Sequence, residues 1–195
     1  MMRKLFPMLV IGGVVAIAQP AAAQSVSTSN YKAALDYSEC VVTKDAAAAR
    51  ALLAATPEST EAKAAASALS ATGCDGSRIR QEALRGAIAE RVYLATHATA
   101  PAELTGEPPA FTGSGVKELA YYDIGRCTAS RDPLGVDMLV RSDLRSDAEK
   151  AALKRIMPVL AGCVPSGFQL GLDREKLRGY VAEGLLQVRG AAGAN

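Results

Sequence analysis

Apolar positions along this chain recur at helical spacing, and strand-like alternation is nearly absent. Tyr31 to Lys44 sets Leu35, Val41 and Val42 among polar residues, the pattern of an amphipathic helix. The strongest signal is written twice. Glu82-Ala83-Leu84-Arg85-Gly86-Ala87-Ile88-Ala89-Glu90 returns as Glu175-Lys176-Leu177-Arg178-Gly179-Tyr180-Val181-Ala182-Glu183, with six of nine positions identical. At ~100° per residue Leu84 and Ile88 share one face, as do Leu177 and Val181, and that face is predicted core. Glu82, Arg85, Gly86 and Ala89 fall on the other side, with Glu175, Arg178, Gly179 and Ala182 matching them.

The match extends outward. Cys40 aligns with Cys127, Asp36 with Asp123, Lys44 with Arg131, Asp45 with Asp132, Leu52 with Leu139 and Leu53 with Val140, all at an offset of 87. Gly73-Cys74 meets Gly162-Cys163 at offset 89, and the nine-residue motif follows at offset 93. Two small insertions in loops account for the drift. This predicts an all-α protein of two tandem homologous four-helix units. Each unit reads as a Cys-bearing helix, a helix opened by Asp, a third ending near Gly-Cys, and the motif helix. Punctuation agrees. Asp45 and Asp132 are candidate N-caps, the second followed by Pro133 at the first helical position. Thr56-Pro57-Glu58 is expected to open the third helix of the first unit, and the capping box Ser146-Asp147-Ala148-Glu149 its partner. Gly73 and Gly162 are expected to stop those helices, and Pro158 to kink the later one. Ser77 and Asp173 are candidate caps of the motif helices. Val136 to Arg141 could form a short strand, but its counterpart Ala49 to Ala54 could not.

The expected division is a signal peptide over 1–23, a first unit over 24–96, a Pro/Gly-rich linker over 97–115, a second unit over 116–190 and a flexible tail over 191–195. The leader has Arg3 and Lys4 ahead of an apolar run, then Ala21-Ala22-Ala23 as a small-residue cleavage site. Gln24 to Asn30 is expected to fray. These features predict a periplasmic or secreted protein with no stable membrane insertion after cleavage.

Charge then narrows the partners. The chain holds 22 Lys and Arg against 20 Asp and Glu, and loss of Arg3 and Lys4 balances them at 20 each. No basic excess remains to recruit nucleic acid. With no Trp and three Phe, the core must come from Ala, Leu, Val, Ile and a few Tyr. Small side chains suit closely packed helices.

Four Cys in an exported chain predict two disulfides, with three possible connectivities. The duplication favours Cys40–Cys74 and Cys127–Cys163, one per unit.

The motif admits two readings. In the structural one, Gly86 and Gly179 let helices approach closely, with the two glycines facing each other across the seam as one arrangement. Arg85 and Arg178 then pair with Glu82 and Glu175 one turn back, or with acids on the facing helix. Such pairs are expected to be partly exposed and worth about 0–1 kcal/mol each. In the functional reading, Arg85, Glu82, Arg178 and Glu175 bind a small anionic or zwitterionic ligand. Catalytic constellations are not readable: His97 is the only His, no nucleophile has a visible base, and no metal, haem or phosphate-loop motif is present. No cofactor is implied. The expected role is a non-enzymatic interaction or structural module of the cell envelope, with an unidentified envelope partner. The alternative is a carrier of a small apolar or amphipathic ligand held between the units, and an envelope hydrolase ranks below both.

Overall fold

The computed structural model describes residues 26–192. The leader over 1–23, its cleavage after Ala23 and residues 193–195 of the tail lie outside them. Among the described residues the fold is all-helical, with eight α-helices and no strand: α1 Thr28–Lys44, α2 Ala46–Ala54, α3 Thr60–Ala68, α4 Gln81–Thr96, α5 Ala120–Arg131, α6 Pro133–Arg141, α7 Asp147–Cys163 and α8 Arg174–Ala192. No helix among them is long and apolar enough to cross a membrane.

Side-chain caps set most boundaries. Asp45 receives the Ala48 amide and Asp132 the Gly135 amide, with Pro133 just inside α6. Each carboxylate satisfies an amide that the first helical turn leaves without a partner. Ser59 and Ser146 do the same for Ala62 and Glu149, and Asp173 for Lys176. Several expectations are corrected here. The third helix opens at Thr60 behind Ser59, because Glu58 takes a left-handed turn at φ 65° and Thr56-Pro57-Glu58 forms the bend before it. Ser77 does not cap α4, since it lies in a turn closed on Asp75 and the helix begins at Gln81 without a side-chain cap. Gly73 does end the third element, in left-handed conformation, but α7 runs on through Pro158 and Gly162 to Cys163. Val136–Arg141 is helix, because capped Asp132 and Pro133 start it and its apolar face meets α7 and α8. The segment before α1 is also tied down from Val26 onward. Val26 is buried and donates its amide to Asp173 at 2.7 Å, and Ser27 caps α1.

Three apolar clusters fill the interior, built largely from the Ala, Leu, Val, Ile and Tyr that the composition dictates. One joins α1, α2 and α4 through Val41, Leu52, Leu84 and Ile88. A second joins α5 to α8 through Ile124, Leu139, Ile156, Val181 and Leu185, with Tyr93 reaching in from α4. A third, small one seats Val26, Tyr31 and Leu35 against Ala83 and Ala87. Helix α8 is the hub, buried from Leu177 to Leu185 except at half-buried Tyr180. It lies against α5 so closely that a Cβ on Gly184 would fall 2.5 Å from the Gly125 carbonyl oxygen.

Residues 97–115 contain no helix or strand, and they follow the second half. Arg189 and Arg141 hold the carbonyls of Thr99 and His97, Glu103 pairs with Arg155, and Ser114 bonds Asp123. Phe111 lies against the Arg126 guanidinium on α5. His97 stacks on Tyr93, and burial, with Arg189 beside it, lowers its pKa.

Both disulfides follow the one-per-unit pairing, Cys40–Cys74 and Cys127–Cys163, closing spans of 34 and 36 residues. In the chain-entropy picture each removes about 3–4 kcal/mol of unfolded-state freedom. Denaturant melts of Cys40→Ser/Cys74→Ser and Cys127→Ser/Cys163→Ser should each lose stability of that order. A non-reducing peptide map should recover only these two linkages.

Candidate functional site

The repeated motif comes together at one place. Helices α4 and α8 cross at Gly86 and Gly179, where a Cβ on Gly179 would lie 3.0 Å from Gly86 Cα and one on Gly86 would run into Gly179 Cα. Mid-helix glycine costs roughly 1 kcal/mol against alanine, and this backbone contact is what it secures.

Close approach lets each motif arginine reach the final glutamate of the other copy. Arg85 donates from Nε and Nη2 to Glu183, with contacts of 2.7–3.0 Å. Arg178 donates from Nε and Nη2 to Glu90 at 2.9 and 2.8 Å. Each guanidinium also caps the end of the second helix in its own half. Arg85 holds the Leu52 and Leu53 carbonyls, and Arg178 those of Val140 and Ser142. The pairing one turn back, to Glu82 and Glu175, is not formed; the facing-helix alternative is. Glu82 instead lies 3.7 Å from Arg80, and Glu175 takes Thr28 and Arg145. The Arg178 pair is not partly exposed, for the Arg178 side chain is 2% accessible and Glu90 likewise, whereas Arg85 keeps 12% of its side chain accessible. Burial acts to lower the Arg178 pKa, but hydrogen bonds and charge from Glu90, with Tyr31 and Glu149 nearby, hold it above its ordinary value. Burial raises Glu183 despite Arg85 beside it.

The two arginines differ in one neighbour. In the second half the third residue of α7 is Glu149, which meets Arg178 Nη1 at 3.2 Å and also takes Arg174 and the Arg145 amide. In the first half the residue behind the corresponding Ser cap is Ala62. Where Glu149 closes the space around Arg178, Ala62 leaves it open beside Arg85. A groove of about 700 Å³ results. Its first wall is α3 and the start of α4, with Ala62, Lys63, Ser67, Glu82 and Arg85. Its second is Tyr121 and Tyr122 of α5 with Lys176 and Tyr180 of α8.

The tyrosines form one cluster. Tyr180 stacks on Tyr121 at 5.5 Å and meets Tyr122 edge-on at 4.8 Å. Arg85 lies 5.8 Å over the Tyr122 ring, so the motif salt bridge also supports the aromatic wall. Burial, helped by Glu58 at the rim, pushes the Tyr180 phenol up to about 12, and Tyr122 is raised too. Of the residues the sequence singles out for binding, Arg85 and Glu82 line this groove, whereas Arg178 and Glu175 belong to the buried network. The tyrosines were missed. Their signal was available: they are three of six Tyr in a chain without Trp, and Tyr180 stands in the motif where the first copy has Ala87. No group of three or more His, Cys, Asp or Glu among the described residues could hold a metal ion. No family model, curated protein or solved structure matches the chain.

Arg178→Ala strands buried Glu90 without a counter-charge, leaves Glu149 with Arg174 alone, and should cost about 3–5 kcal/mol in denaturant melts. Gly86→Ala, although the better helix former, should cost about 1–3 kcal/mol by forcing α4 from α8. A Gly86→Ala protein as stable as the parent would show that the two backbones do not touch there. The tyrosines give a pH dependence. Tyr180 has a folded pKa of about 12 against 10.0 when unfolded, so the unfolded chain releases its proton first as pH rises. Stability is therefore complete below about pH 10 and should fall as pH climbs through 12, with Tyr31 and Tyr122 acting in the same sense. Phenolate absorbance and melting temperature recorded together across that range will check it.

Proposed function

We propose that this chain is an exported, non-enzymatic binding module of the cell envelope that holds a small amphipathic ligand in the groove between its halves. The observation that carries the reading is the tyrosine-walled groove. Its volume of about 700 Å³ falls within the ~300–1,000 Å³ of small-molecule sites. Tyrosine suits an amphipathic ligand, since its ring packs on apolar surface while its hydroxyl accepts or donates a hydrogen bond. Glu58, Lys63 and Glu82 supply charges of both signs around it. Within this proposal Glu82 and the tyrosines contact the ligand, and Arg85, whose donors are already engaged, fixes the wall. Arg178 and Glu175 hold the scaffold behind it. Export is supported by the two disulfides, which persist in oxidising compartments, together with the leader-like start.

The halves are proposed to be homologous units, 24–96 and 116–190, joined by the linker 97–115. Support comes from positions outside the original match. The two non-glycine residues of positive φ among the described residues, Glu58 and Arg145, stand 87 apart, as do the caps Ser59 and Ser146. Lys44 and Arg131, already aligned in that match, take equivalent roles and each reach a carbonyl at the end of the third helical element. The reciprocal Arg–Glu pairs fit two units related by a near-twofold rotation.

Native mass spectrometry of the mature protein purified from its own envelope tests the binding reading. A small-molecule adduct should appear, leave on denaturation and, when added back, change tyrosine fluorescence, which no Trp obscures. Ser67→Trp, an exposed groove position, should abolish the adduct without lowering the melting temperature. An adduct retained at full occupancy by Ser67→Trp would remove the ligand from this groove.

A further inference from the structure

A second concavity is lined wholly by the linker and the second half, and its chemistry differs. It measures about 550 Å³ and runs between the linker and the Cys127–Cys163 disulfide. Phe111 and Val116 form its outer wall, Ile124 of α5 its floor, and Val164 and Phe168 its far side. Phe168 is braced edge-on by Tyr121 at 5.3 Å, which keeps that wall upright. Three charged residues line it: Asp123, Lys117 and Arg131. Asp123 is already committed, since it takes the Ser114 amide, the Ser114 hydroxyl and Arg126. The trough is thus apolar with uncommitted positive charge.

Arg131 is the telling residue. It has no carboxylate partner among the described residues. Its only hydrogen bond among the described residues is a long one, Nη1 to the Gly162 carbonyl at 3.4 Å, and its Nε is buried without a partner. Lys44, at the matching position of the first half, reaches the carbonyls of Thr72 and Gly73 at similar lengths, 3.4 and 3.5 Å, and has no further donor left buried. A lysine suffices to complement a helix end. A planar guanidinium with free donors is the group that recognises a carboxylate through two parallel hydrogen bonds. Leaving it beside apolar walls without an anion is costly for the folded protein, and an anionic ligand removes that cost.

We propose that this trough binds a single-chain amphipathic carboxylate, its hydrocarbon tail between Phe111, Val116 and Phe168 and its carboxylate on Arg131. The site is separate from the tyrosine groove and stands or falls without it. Tail burial supplies most of the affinity and Arg131 selects the head group.

Dodecanoate, added to the full mature protein below its aggregation concentration and followed by calorimetry, is the probe. Saturable binding at one site per chain is expected, with no saturable binding of dodecyltrimethylammonium, which carries the same tail and the opposite charge. Arg131→Met should weaken dodecanoate roughly tenfold or more, as loss of a charge-assisted hydrogen bond does. Phe111→Ala, on the linker and outside every helix, should weaken it while leaving the melting temperature unchanged. Ser67→Trp should leave it intact, which separates this site from the groove. Equal binding of the cationic probe, or wild-type affinity in both Arg131→Met and Phe111→Ala, overturns the proposal. So does loss of dodecanoate binding in Ser67→Trp.

Discussion

Backbone contact between α4 and α8 at Gly86 and Gly179 sets the terms for the rest of the molecule. Only at that spacing do Arg85 and Arg178 cross the interface and still reach carbonyls behind them. Arg178 then sits among Glu90, Glu149, Tyr31 and two carbonyl oxygens in an interior of Ala, Leu and Val. Desolvating such charges offsets most of their mutual attraction, so the network is a weak source of net stability. Its effect is on registry. A slip of α8 by one residue would turn the guanidinium out of its cage and leave two buried carboxylates unmatched. Apolar contacts alone, in a core this rich in alanine, discriminate far less between neighbouring registers.

The same crossing is closed on one side and open on the other. Glu149 occupies the position behind the Ser146 cap and joins the Arg178 cluster, while Ala62 stands behind Ser59 and leaves room beside Arg85. The groove is thus the place where the pattern around one arginine lacks its second carboxylate. Tyr122 and Tyr180 line the vacated space, with Arg85 over the Tyr122 ring and Glu183 behind it. Scaffold and candidate binding surface share one salt bridge.

Much of this could be read from the chain. Helix order, the Asp45, Asp132 and Asp173 caps, both disulfides and the demand for glycine at the crossing are local or repeat-based features, and each was legible. Partners were not. Helical spacing puts Glu82 near Arg85 and says nothing of Glu183, which lies 98 residues on. The final glutamate of the motif was identical in both copies, yet identity does not say which copy it serves. Likewise the start of α3 depended on a left-handed Glu58, which no residue preference signals, since Gly or Asn would be the usual occupant. The groove escaped for a related reason: its tyrosines converge from α5 and α8 against α3, elements separated by most of the chain.

The crossed pairs also fix an order of events. Synthesis delivers Glu90 long before Arg178 and Arg85 long before Glu183, with separations of 88 and 98 residues. A chain emerging N-terminus first can gather its early apolar cluster and close its early disulfide. It cannot finish α4, which carries two unmatched charges and an uncovered glycine until the last helix arrives. Loop closure over such distances is entropically late, and the contacts that reward it come only at the end. Helix α8 therefore completes both halves in a single step, and the first half waits unfinished until that helix arrives.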